Sequence, residues 1–294
     1  MSIVHLLKGH TKDLGGGMLV RRMLPAAVQR SVGPFVFLDH FGPVTVQPAD
    51  NHDVRPHPHI GFATVTYLFE GAILHRDSLG VEQLIEPGAI NLMSAGRGIV
   101  HYERRPQHLS DSSYVNHGLQ LWMALPQDLE ESEPSFHHTP ADAIPQWQAD
   151  GVKLRVLMGQ AMGLASPVKS FSPTLYLDLN LAAGATWALD QSVQELAVYP
   201  LDAPVMVQGE RVEAGQMALV DTRVALKLDA WQDSKLVLIG GQALDAPRYM
   251  WWNFVSSRKE RIVQAAQDWQ ERRMGQISGE REWIALPQPG PKLD

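Results

Sequence analysis

Two short motifs in this 294-residue chain bring together side chains able to hold a metal ion, His57-Pro58-His59 and His101-Tyr102-Glu103. Along an extended chain, side chains alternate. Residues i and i+2 therefore project from one side, roughly 7 Å apart at Cα, which lets both reach a single ion. Pro58 reinforces this by disfavouring the α conformation for His57. Ile99 and Val100, preceding His101, have the apolar character of a strand entering a core. Two such strands facing one cavity supply three imidazole nitrogens and one carboxylate oxygen. The chain has no cysteine, so thiolate ligands, disulfides and cysteine nucleophiles are excluded. Imidazole with carboxylate suits iron, manganese, nickel, copper or zinc, and the ligand types do not choose among them.

Other candidates carry less. His75 and His117 are expected either to line the cavity or to be ordinary strand histidines. The adjacent His137 and His138 would diverge in a strand. Arg97, between Gly96 and Gly98, either presents a charge at the cavity mouth or is a solvated turn arginine. Leu14-Gly15-Gly16-Gly17-Met18 lacks the following lysine and helix of a phosphate-binding loop, and there is no serine-histidine-aspartate order in a convincing context.

The elements that must position these residues read as strands. Ala63-Thr64-Val65-Thr66-Tyr67-Leu68-Phe69 and Gly118-Leu119-Gln120-Leu121-Trp122 are short apolar or alternating runs. Turn signals at Glu70-Gly71, Gly80, Pro87-Gly88 and Gly96-Arg97-Gly98 separate such runs at spacings suited to antiparallel pairing rather than βαβ units. Alternation resumes at Leu175-Tyr176-Leu177-Asp178-Leu179 and Val205-Met206-Val207. An acidic, proline-bearing stretch from Asp128 to Pro145 divides the halves, and the length suits two domains. The expected architecture is all-β: two tandem antiparallel β-sandwich or barrel domains, residues 1–132 with the metal ligands and 133–294 without, ending in an amphipathic helix. Ser257 and Glu260 form a capping box for that helix, ahead of Ile262, Val263, Ala266 and Trp269 on one face.

The balance of 25 basic against 32 acidic residues gives a net charge of −7, with no long basic block, so direct nucleic-acid binding is not expected. No apolar run reaches the ~18 residues of a membrane helix. Lys8, His10, Lys12 and Asp13 interrupt the place of a signal peptide's apolar region, so a cytoplasmic location is expected.

HPHIGFATVTYLFEGAILHRDSLG followed by PGAINLMSAGRGIVHYE, with FVFLDHFGP upstream, resembles the pirin family of bicupins continuously from about Gly33 to Leu125. The second half resembles it more loosely, through its strand pattern and the helix after Trp251-Trp252-Asn253-Phe254. The resemblance implies two cupin domains, the first holding one divalent metal, usually iron, at positions that are here His57, His59, His101 and Glu103. There is no histidine between Pro145 and Asp294, so one ion per chain is expected. Pirins commonly carry glutamate where this chain has Ala63, removing a second carboxylate near the site. The resemblance implies dioxygenation of flavonols such as quercetin; for that chemistry Glu103, if loosely held, doubles as a catalytic base, and Phe62, Leu92 and Met93 are the apolar candidates for the cavity wall. It equally implies a regulatory role, as a metal-dependent partner of transcription factors or metabolic enzymes.

Overall fold

The computed structural model describes residues 3–15, 17–189 and 193–291, so Gly16 in the glycine run lies outside the described residues. The alternating segments form antiparallel strands, and among the described residues one α-helix forms, Lys259–Gln270. None of these residues forms a helix long and apolar enough to cross a membrane. Contacts gather the chain into two units that do not follow a single cut at 132/133. One takes residues within 1–12, 21–39 and 139–244; the other takes 13–20, 40–138 and 245–294. The helix therefore groups with the histidine motifs. The acidic stretch expected as a plain connection contains a strand of its own, Ser135–Thr139, which joins the edge of a sheet.

The unit formed mainly by residues 139–244 has a seven-stranded sheet in the order Ile3–Lys8, Gln216–Val220, Glu195–Pro200, Ser234–Gly241, Thr174–Leu181, Val152–Met158 and Gln146–Ala149. A four-stranded sheet follows the order Thr186–Leu189, Leu226–Asp229, Val205–Val207 and Glu210–Val212. Leu154, Leu177, Val198 and Leu238 of the first sheet and Val205 and Leu228 of the second share one buried aliphatic cluster. Each such side chain stabilises the fold by about 1.5–3 kcal/mol on burial.

The other unit repeats the plan. Its larger sheet pairs Phe62–Glu70 with Ile90–Ser94 on one side and with Tyr114–Ala124 on the other. Its four-stranded sheet is ordered Val54–His59, Ile99–Arg104, Ile73–Asp77 and Glu82–Ile85. Alternation gives this smaller sheet two unlike faces. Val100 and Tyr102 pack with Ile262, Ala265, Ala266 and Trp269 of the helix. The intervening positions 57, 59, 101 and 103 share the opposite face.

The helix start differs from the expected capping box. Its N-cap is Arg258, without a side-chain cap. The Ser257 amide and hydroxyl instead donate to Glu130, at 2.8 and 3.0 Å. Glu130 is buried and also pairs with buried Arg248 at 2.8 Å, and a carboxylate taken out of water recruits every donor within reach. On the helix, Ile262, Ala266 and Trp269 are buried as expected, while Val263 is only half-buried.

Candidate metal centre

The two motifs lie on neighbouring strands in register, with His101 opposite His57 and Ile99 opposite His59. The ligand-capable nitrogens of His57, His59 and His101 all lie within 4.8 Å of one another, and all three side chains are buried. The register shifts between His101 and Glu103, so that Glu103 faces Val54 and the two residues Arg55 and Pro56 stand against the single Tyr102. Bulges of this kind re-aim side chains next to sites. Here the Arg55 carbonyl accepts a hydrogen bond from His57 Nδ1 at 2.8 Å.

Each imidazole is held by its Nδ1. His57 Nδ1 donates to the Arg55 carbonyl, and His59 Nδ1 donates to the Asn253 carbonyl at 3.2 Å. For His101 the partner is His75, whose Nδ1 lies 3.2 Å away. His75 Nε2 is 3.1 Å from the Asp77 carboxylate, so the hydrogen sits there and His75 Nδ1 is left as an acceptor for His101. Asp77 is itself fixed by the amides of Leu79 and Val81 at 2.9 and 3.1 Å. These partners place the hydrogen of all three clustered histidines on Nδ1 and leave every Nε2 with a bare lone pair, the form that binds metal.

The spacing fits the same use. His59 Nε2 and His101 Nε2 are 2.9 Å apart. Two nitrogens each about 2.1 Å from one ion and at right angles would be separated by about 3.0 Å. Burial is the main cause holding the imidazoles neutral. It lowers His57 to about 4 and, with the neighbouring histidines adding to the effect, takes His59 and His101 well below the ordinary value. Neutral imidazole is what a metal requires.

Glu103 shares the face but is not part of the close cluster. It lies opposite His75, which partly offsets the effect of burial in pushing its carboxyl up. Nothing in the sequence alone singles out Asp77, and His75 is open there to two readings. The signal available was their i, i+2 spacing in Ile73–Asp77.

The opposing wall comes from the larger sheet. The His59 ring meets Phe62 and Trp122 edge-on, at 4.9 and 5.6 Å, and Phe62 stacks on Trp122 at 4.4 Å. Thr64 is on this same face and pairs with Met93, whereas Leu92 pairs with Val65, one residue out of phase. The expected wall therefore keeps Phe62, loses Leu92 to the other face, and gains Trp122. Ala63 also points away, opposite Ser94 and Met123, so a longer side chain there would not face the histidines.

The remaining candidates lie elsewhere. His117 contacts His40 through Nε2 atoms 2.9 Å apart and packs on Phe69. Arg97 is exposed and pairs with Glu133 at 2.8 Å. His137 is exposed, and His138 bonds Asn91 at 2.8 Å.

Comparison with known proteins places this architecture. The chain matches the pirin family model over residues 17–123 and that of the pirin C-terminal cupin domain over 176–275. A pirin-like protein of Caulobacter vibrioides is 43% identical over 281 residues, covering 94% of this chain and 96% of that protein. The crystal structure of a quercetin 2,3-dioxygenase from Acinetobacter baumannii superposes with a TM-score of 0.92 at 32% identity, covering 99% of this chain and 97% of the other. A second quercetin 2,3-dioxygenase structure from the same organism gives 0.88 at 27% identity, covering 94% and 99%. With both cupin domains matched in order and its relatives aligned nearly end to end, this chain belongs to the pirin family.

Proposed function

We propose that this chain binds one divalent metal, iron by preference, through His57, His59 and His101 with Glu103 completing the set, and that it oxidises a flavonol with dioxygen. The observation that carries the reading is the convergence of three buried histidines whose Nδ1 partners leave each Nε2 bare. Likeness to the Acinetobacter baumannii quercetin 2,3-dioxygenase supports the substrate class. A bound metal supplies a Lewis-acidic centre for the vicinal oxygens of the flavonol and a partner for dioxygen. Manganese, nickel, copper and zinc suit the same donors.

The protein's own residues do the rest. Phe62 and Trp122 offer a flat aromatic wall against which a planar ring packs and from which water is excluded. In this reading Glu103, whose carboxyl is pushed up by burial, accepts the flavonol hydroxyl proton. The test loads metal-free protein separately with iron, manganese, nickel and copper and follows quercetin loss together with oxygen uptake. At least one metal form should exceed its Glu103→Gln counterpart. If none does, the oxygenase reading fails.

A further inference from the structure

Strand pairing arranges the wall opposite the histidines in rows. Phe62, Thr64 and Thr66 share one face of their strand. Thr64 lies between Met93 and Trp122, and Thr66 lies between Asn91 and Gln120. Trp122 touches His59, so this is the face that looks onto the metal-binding cluster. The row Asn91-Thr66-Gln120 lies one step, about 7 Å, further along it.

That second row is polar, with Asn91 and Thr66 buried and Gln120 half-buried. Thr66 Oγ1 donates to Gln120 Oε1 at 2.9 Å, and Asn91 Oδ1 accepts from His138 Nδ1 at 2.8 Å. Asn91 is 1% exposed, and among the described residues its Nδ2 has no hydrogen-bond partner. A fully buried amide NH2 without an acceptor is rare in native proteins and marks a place where something else accepts. His138 holds the amide by its oxygen, which leaves the two N–H groups to give.

We propose that Asn91, steadied by His138 and flanked by the Thr66–Gln120 pair, is a specificity-determining residue for the ligand of the histidine centre. Its Nδ2 donates to an oxygen at the far end of a flat aromatic molecule whose near-end oxygens reach the metal, with Trp122 and Phe62 packing the apolar middle. The ligand class is thus a planar aromatic bearing hydroxyl or carbonyl oxygen at both ends, and the inference rests on the flavonol reading above.

The experiment titrates metal-loaded wild type, Asn91→Leu and Asn91→Asp with quercetin and with 3-hydroxyflavone, following quenching of tryptophan fluorescence. 3-Hydroxyflavone keeps the metal-binding hydroxyl and carbonyl but has no outer hydroxyls. Asn91→Leu removes the donor. Asn91→Asp keeps the shape while replacing the donor with an acceptor, so the test survives if the leucine variant folds poorly. Metal content and thermal unfolding are measured on each variant. Both variants should bind quercetin about tenfold more weakly while their affinity for 3-hydroxyflavone stays within about twofold of wild type. Unchanged quercetin affinity in a metal-replete variant overturns the role of Asn91, as does equal weakening for both ligands. If wild type binds neither flavonol, the flavonol reading itself falls and takes this inference with it.

Discussion

His59 Nδ1 hydrogen-bonds the backbone carbonyl of Asn253, 194 positions further along the chain. The contact depends on a close approach, in which the Val255 amide donates to the Ile60 carbonyl at 3.2 Å and a bridge joins Ile60 to Phe254. Gly61 makes that approach possible. Its φ is +75°, and a Cβ there would run into the Val255 carbonyl. Gly61→Ala should therefore loosen His59 as well as strain the backbone. Metal affinity is expected to fall roughly 10–100-fold, and stability by about 1–3 kcal/mol. Competition with a chelator and thermal unfolding measure the two; an unchanged affinity would show that the carbonyl does not position His59.

Asp77 acts on the centre from two residues away. Asp77→Asn keeps the shape but presents an amide that can donate to His75 Nε2, moving the His75 hydrogen to Nδ1. His101 then has to carry its own hydrogen on Nε2, where the metal must bind. The expected loss in metal affinity is roughly 10–100-fold, and Asp77→Glu should recover part of it. His59→Ala and His101→Ala, which remove a ligand outright, should lose most bound metal by elemental analysis. Full occupancy in these two would sink the ligand assignment.

Acid should unfold the metal-free protein through the same histidines. His57 titrates near 6.5 when unfolded and near 4 when folded, so between these values the unfolded chain binds more protons. Stability contributed by its burial is complete above about pH 6.5 and falls as pH drops towards 4, by about 3 kcal/mol. His59 and His101 shift in the same direction and steepen the fall. Urea midpoints from pH 8 to pH 4 should show it, and His57→Gln should flatten the slope. A slope unchanged in that variant would contradict the assignment.

The buried pair Glu130–Arg248 ties residues after 244 to the segment that follows the strand Tyr114–Ala124, with Arg248 also donating to the Leu125 carbonyl at 2.6 Å. Arg248→Met leaves the Glu130 carboxylate buried without its cation and should cost about 3–5 kcal/mol. Adding Glu130→Leu should restore part of that loss, although the Ser257 amide then goes unanswered. Denaturant unfolding of the single and double variants measures it; equal losses would mean that Glu130 is satisfied without Arg248.

Local rules made much of this legible. Period-two alternation and turn spacing are properties of neighbouring residues, so the strands, the all-β class and the pairing of His57 with His59 and of His101 with Glu103 on one side of their own strands follow from the sequence. The absence of cysteine fixed the donor chemistry, and the apolar face of the last helix was visible as Ile262, Ala266 and Trp269. What depended on register was not legible. Only strand pairing decides that Trp122 faces His59, that Leu92 and Ala63 turn away, and that Asn91 aligns with Thr66. The Nδ1 partners of His59 and His101, Asn253 and His75, lie elsewhere in the chain, and even the local Arg55 carbonyl meets His57 only through the bulge, so the sequence could not say which nitrogen is bare. Ser257 was expected to cap a helix but lies within reach of a buried carboxylate, and the stronger demand of that charge took its donors. Sequence determined which side chains can bind a metal; tertiary pairing decided which of them meet and where their hydrogens sit, because those choices belong to residues far apart in the chain.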